Sequence, residues 1–232
     1  MKIYSNISSA EELVEVIEEV GFLPLLQSPI RGFCAEAMVD SDCRYQVFDD
    51  GGWDWPMWKW KGPIVQIGCC TYGKFFCGKA GYLSMQWWQD FMNYRRSQAP
   101  DIVPNSIEDI ILDTLQEGGS MITRDLRREC GFNGQNMRSK FDGYVTRLQM
   151  QCRIVTENFV YPHDKHGNEY GWGWSLLATP ENLFGHDMCR LPEDNGKQRQ
   201  PEESLDRMKN HLAHCLPDAT EKQIMQLLGE RI

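Results

Sequence analysis

Residues 106–151 read SIEDIILDTLQEGGSMITRDLRRECGFNGQNMRSKFDGYVTRLQMQ, and the order of elements in this stretch decides the fold. Ser106 is placed to cap a helix in which Ile107, Ile110, Ile111 and Leu115 recur at helical spacing, and Gly118-Gly119 stops it. Ser120-Met121-Ile122 is a short strand. Thr123 opens and caps a second helix, TRDLRRECG, ended by Gly131. Asn133 begins a third helix, with Met137, Phe141, Val145 and Leu148 on its core side. Beyond it, CRIVTENFVYPHD, the polar turn KHGNE and YGWGWSLLATP read as a β-hairpin. Helix, short strand, helix, helix, hairpin is the order of a winged helix-turn-helix unit, here over residues 106–185.

In that geometry the third helix lies in the DNA major groove and offers its outer side chains to bases and phosphates. Gln135, Asn136, Arg138, Ser139, Lys140 and Arg147 fall between its apolar positions. Gln and Asn can read adenine edges, whereas Arg and Lys suit guanine or phosphate. The hairpin turn, Lys165, His166, Gly167 and Asn168, is placed to touch the adjacent groove or backbone. Charge supports this placement. The chain carries a formal −9, yet residues 120–155 hold seven basic side chains against three acidic ones, a local +4. Double-stranded DNA, damaged or intact, is the expected partner. A winged helix used as a protein-interaction module is the competing reading.

The rest of the sequence describes a folded chain without cofactor or metal. The first 20 residues are rich in Glu and lack an apolar stretch of signal-peptide type. No run of about 18 apolar residues is present to span a membrane. Nine cysteines, an odd number without framework spacing, fit reduced thiols in a cytoplasmic protein. Cys70 with Cys77, and His211 with His214 and Cys215, are the nearest approaches to metal-ligand spacing, and neither has a partner cluster.

Before the winged-helix segment lies an aromatic-rich unit, residues 1–98, followed by a linker at 99–105 with Pro100 and Pro104 at its margins. Ser8-Ser9-Ala10-Glu11 opens a helix carrying Leu13, Val14, Ile17 and Val20 to Gly21. Residues 63–76, PIVQIGCCTYGKFF, look extended, and Ser84 caps a helix with Trp87, Trp88 and Phe91 on its buried side. Between them GWDWPMWKWKG places Trp53, Trp55, Trp58 and Trp60 in eight positions. Their spacing fits either a helix face or two short strands broken at Pro56. Two or three of these rings belong in the core, and one or two, with Lys59 or Lys61 nearby, could face a cleft, with Arg95 and Arg96 beside the segment completing an aromatic pocket for a base. Residues 186–232 form a helical tail, with Thr220 and Gln223 as a capping box. The fold class is α+β, mainly helical.

Three stretches carry a family resemblance: EELVEVIEEVGFLPLL, YGKFFCGKAGYLSMQWWQDFMNYRR and YGWGWSLLATPENLFG. They resemble the bacterial AlkZ-related proteins, short relatives of the AlkZ-type winged-helix DNA glycosylases that excise alkylated or crosslinked bases. The resemblance implies a DNA-binding protein linked to repair. The glycosylases' catalytic signature is a Gln-x-Gln or Gln-x-Asp after the first helix, in a Leu-Gly-Gly-Leu-like context. Here that context is matched by Val20-Gly21-Phe22-Leu23, followed by Pro24, Leu25 and Leu26. Neither signature position keeps a side chain able to orient water or stabilise a sugar cation, and Gln27 stands one residue late. Gln149-Met150-Gln151 ends the third helix, where structure or DNA contact is expected. A non-catalytic or weakly catalytic DNA-binding protein linked to repair is therefore the first expectation. A glycosylase with a diverged site is the second, and a protein-interaction domain the third.

Overall fold

The computed structural model describes residues 4–49, 51–134, 137–167, 169 and 171–229. Helix α1 (Ala10–Val20) starts where Ser9 accepts the Glu12 N–H, and it buries Leu13, Val16, Ile17 and Val20. It stops at Gly21, whose φ of 78° suits glycine, and a Cβ there would lie 2.5 Å from Trp87 Cδ1. The wholly buried β1 (Phe22–Pro24) follows, then the short α2 (Ala35–Met38). A two-stranded ribbon, β2 (Gln46–Val47) against β3 (Trp53–Asp54), leads into α3 (Pro56–Ile67).

The tryptophan-rich segment thus uses both conformations its spacing allows, a short strand at Trp53 and a helix from Pro56. Residues 63–67, expected to be extended, belong to α3. Pro56 starts that helix, Met57, Lys61, Ile64 and Val65 are buried at its helical spacing, and Gly68 ends it with φ 83°. Only from Cys70 is the chain extended, as β4 (Cys70–Phe76), which turns back as β5 (Lys79–Ser84). Ser84 then accepts the Gln86 N–H and caps α4 (Met85–Ser97), burying Trp87, Trp88 and Phe91 as expected.

The second half follows the expected order of elements: α5 (Ile107–Gly118), β6 (Met121–Ile122), α6 (Thr123–Glu129), α7 (Met137–Met150), β7 (Val155–Val160) and β8 (Trp174–Ala178). Two details differ. Ile110 is exposed, while Ile111 and Leu115 are buried and Ile107 and Leu112 pack partly against the same core. Thr123 does not cap α6; its hydroxyl reaches the Ser175 carbonyl instead, at 3.5 Å. The remainder comprises α8 (Pro180–Phe184), a small hairpin of β9 (Glu193–Asp194) and β10 (Lys197–Gln198), α9 (Pro201–Cys215) and α10 (Glu221–Leu227). Thr220 and Gln223 form the expected capping box.

Helices and antiparallel strands together make an α+β chain. Six strands form one sheet in the order β1-β5-β4-β7-β8-β6, every neighbouring pair antiparallel. The join between the early and late strands is narrow, with Tyr72 of β4 opposite Thr156 of β7. One apolar core lies around α1, α3, α4 and α9; a second, built from Ile111, Leu115, Leu126, Phe141, Val145 and Leu148, lies among α5, α6 and α7. The tail is fastened by charge as well as by packing. Buried Asp90 of α4 accepts from the Arg199 guanidinium and from Ser204 Oγ at 2.8 Å, and Arg207 Nε lies 3.2 Å away. Among the described residues no helix is long and apolar enough to cross a membrane.

Candidate nucleic-acid interface

The tryptophans form two stacked pairs set edge-on to each other. Trp55 stacks on Trp58 with centroids 4.7 Å apart, and Trp53 stacks on Trp172 at 4.8 Å. Trp172 meets Trp55 and Trp58 edge-on at 5.9 and 5.5 Å, and Tyr45 closes on Trp55 at 5.7 Å. The Trp58 indole N–H donates to the Trp172 carbonyl at 3.0 Å, linking α3 to the loop before β8. Trp60 turns away and packs, half-buried, on the main core. Of the four tryptophans in the segment, Trp53 is the uncovered one at 46% exposure, and Trp172 beside it is 48% exposed. Their inner faces are occupied by each other, so only outer faces and edges are free for a ligand.

Behind this cluster lies a buried amine. Lys61 is 1% exposed, and its Nζ donates to the Trp172 carbonyl at 2.9 Å. The nitrogen sits 3.4 Å from the centroid of Trp58 and 4.2 Å from that of Phe159. Burial pushes its pKa down to about 7, since removing the ammonium from water disfavours the charged form. Lys61 lines a cavity of about 240 Å³ with Trp58, Tyr72, Gln149, Thr156 and Phe159.

The basic residues lie on α6 and the first turns of α7. Arg124 sits 5.0 Å over the Trp174 ring and shares a depression of about 180 Å³ with Arg127, Arg138, Asp142 and Thr123. A neighbouring depression of about 440 Å³ adds Arg128 and Asn133. Acidic neighbours partly offset these charges: Arg124 and Arg128 contact Asp125 at 3.3 Å, and Arg138 lies 3.9 Å from Asp142. Such solvent-exposed pairs are weak and exchangeable. Along the outer face of α7, Ser139, Lys140, Gly143 and Arg147 are all exposed. A methyl group added at Gly143 would meet nothing within 4 Å. Arg147 leans on the Tyr144 ring at 4.8 Å and reaches Glu108 at 3.4 Å.

Several expected site residues are placed otherwise. Arg95 and Arg96 do not join the tryptophans. Arg95 donates to the carbonyls of Met150, Leu228 and Phe75 at 2.7 to 3.0 Å, and Arg96 donates to Cys152 O and Glu181, both at 2.9 Å. They point inward from α4, where several chain segments leave carbonyls to be satisfied. Gln149 accepts the Lys74 N–H at 2.8 Å and fastens α7 to β4. In the stretch matching the glycosylase signature, Val20 to Leu25 are buried and apolar, Leu26 is exposed, and Gln27 faces solvent. Lys165 and His166 are exposed in the hairpin turn, with the His166 N–H bonded to Asp164 at 2.7 Å. Gln135, Asn136 and Asn168 lie outside the described residues.

Of two further members of the site, Lys61 was expected, with Lys59 as the alternative, beside a cleft-facing tryptophan, and Trp172 was not singled out from sequence. Lys61 stands at the core position of the set Met57, Lys61, Ile64, Val65, and a lysine in an apolar helical stripe is the signal that marks it. Trp172 had no local signal, because its partners lie more than 110 residues earlier. Neither a curated protein nor a solved structure matches the chain. A family model described as AlkZ related does match, over residues 7–229, and the chain belongs to the AlkZ-related family.

Proposed function

We propose that the chain is a DNA-binding protein related to the repair glycosylases, in which residues 106–185 act as a winged helix-turn-helix unit on double-stranded DNA. The observation that carries this reading is the arginine cluster of α6 and α7, exposed on an acidic protein next to exposed indole faces. In this reading Arg124, Arg127 and Arg138 meet phosphates, and Ser139, Lys140 and Arg147 face the major groove around Gly143. Lys165 and His166 touch the flanking backbone. Trp172 and Trp174 stand two residues apart, one in the aromatic cluster and one under Arg124. The cavity lined by Trp58 and the arginine depression share Thr123 and Asp142, which supports taking both features as one surface. The aromatic-rich unit (1–98), the linker (99–105) and the helical tail (186–232) support that surface in a cytoplasmic protein. The apolar side chains of Pro24, Leu25 and Leu26 at the signature positions support a chain without the glycosylases' Gln-x-Gln chemistry.

Fluorescence anisotropy with intact, bulged and abasic duplexes tests the reading. About four phosphate contacts give a slope of log affinity against log salt of roughly −3 to −4. The paired change Arg138→Ala and Lys140→Ala weakens all duplexes alike if both residues meet phosphate, and selectively if one reads a base. Absence of binding at about 50 mM salt, where this electrostatic attraction is strong, rules the reading out.

A further inference from the structure

The cavity holding Lys61 is not explained by binding to a DNA surface. A lysine used only as a strut has no need of open space at its amine, and a helix core position is ordinarily filled by Leu or Ile. Here Lys61 lines about 240 Å³ of space together with the rings of Trp58, Tyr72 and Phe159, the polar Gln149 and Thr156, and the charged Lys74 and Asp142. Among the described residues no carboxylate forms an ion pair with Lys61, and its hydrogen bond goes to the neutral Trp172 carbonyl. Otherwise the nitrogen faces rings, 3.4 Å from the Trp58 centroid and 4.2 Å from that of Phe159. The lysine cavity and the arginine depression share Thr123 and Asp142 as lining residues, so they are neighbours along one wall.

We infer that Lys61 is an amine nucleophile that forms an imine with the aldehyde of an abasic deoxyribose in DNA. The substrate class follows from the two adjoining sites: an aldehyde carbon for the amine, with phosphates for Arg124 and Arg138 beside it. In the ring-opened sugar the Nζ lone pair attacks the C1′ carbonyl carbon, and the carbonyl π pair moves to oxygen. The nitrogen gives up two protons, which leave with that oxygen as water, and a C=N bond replaces C=O. No oxidant, reductant or metal takes part. The nucleophile must be the uncharged amine, and the burial of Lys61 favours that form near neutral pH. The inference rests on the DNA-binding reading, because the duplex has to be held for its sugar to reach the cavity.

The test is borohydride trapping with the full chain and a duplex carrying one abasic site, followed by peptide mapping. Anisotropy on the same duplex without reductant is recorded alongside. An adduct on Lys61, lost in Lys61→Met, is the expected result, and Lys61→Arg serves as a second variant if Lys61→Met unfolds. Salt-dependent binding without a Lys61 adduct overturns the inference and leaves the DNA-binding reading standing. An adduct confined to Lys74 or the terminal amine likewise overturns it. Neither binding nor adduct overturns both.

Discussion

Replacing Lys61 with Met tests whether the buried amine carries the burden its surroundings imply. The ordinary lysine pKa of 10.5 falls to about 7 in the folded chain. Between those values the unfolded chain binds a proton that the folded chain does not, so stability rises with pH across that window. Below pH 7 both states are protonated and the contribution levels off; above 10.5 both are neutral. For one such group the gain from pH 6 to pH 9 is about 2.5 kcal/mol. Attraction of the ammonium to the Trp58 and Phe159 faces offsets about 0.5–1 kcal/mol of this, because it favours the charged form. The expected outcome is that the stability difference, Lys61→Met minus wild type, shrinks by about 2 kcal/mol between pH 6 and 9. Urea unfolding of both proteins at the two pH values measures it. Cys69, lowered by its hydrogen bond with the Cys70 thiol, and His211, lowered by burial, titrate in both proteins and cancel. A difference that stays constant with pH shows that Lys61 is charged throughout and that the amine is not available as a nucleophile near neutrality.

Three further outcomes follow from the geometry. Gly143→Ala stabilises α7 by about 0.5–1 kcal/mol, because the position is exposed and open, and it weakens duplex binding by crowding the groove face. Unchanged affinity in the anisotropy assay would mean that another face docks. Asp90→Ala leaves the buried Arg199 without its interior carboxylate and costs about 3–5 kcal/mol, read as a lower urea midpoint. A loss below about 1 kcal/mol, the range of exposed ion pairs, would show that Asp194 alone holds Arg199. Trp53→Ala removes an outer ring and weakens binding of DNA with an unstacked base by about 1–3 kcal/mol, with little effect on fully paired duplex. An equal loss on both substrates would assign Trp53 a packing role instead.

The legible parts of the fold were those fixed by local physics. Ser9, Ser84 and Ser106 accept N–H groups at the starts of their helices. The apolar residues read at helical spacing, Trp87, Trp88 and Phe91 in α4 and Phe141, Val145 and Leu148 in α7, are buried. The misread stretch, residues 63–67, fails on the same ground. Pro63 and the β-branched residues around it suggest strand, while burial of Met57, Lys61 and Ile64 along one stripe decides for helix. Arg95 and Arg96 were misplaced for a different reason. A sequence reports charge but not the carbonyls that distant segments bring to it, and Arg95 alone satisfies three.

The glycines flanking Trp172 explain how the site is assembled. Gly171 and Gly173 have φ of 77° and 71°, a region that side chains rarely enter, and a Cβ at Gly173 would lie 2.8 Å from the Tyr161 ring. These two positions let the chain turn the Trp172 carbonyl toward Trp58 and Lys61 before it straightens into β8 at Trp174. One carbonyl therefore satisfies an indole N–H and a buried amine, while the side chains on either side of Gly173 serve different purposes. Trp172 completes the aromatic cluster, and Trp174 supports Arg124. Gly173→Ala would strain this turn and displace the carbonyl, so both the stacking of Trp53 and the environment of Lys61 should change together. Fluorescence of the tryptophan cluster and the pH dependence of stability are then coupled readouts. If the first shifts and the second does not, the carbonyl is not what holds the lysine in place.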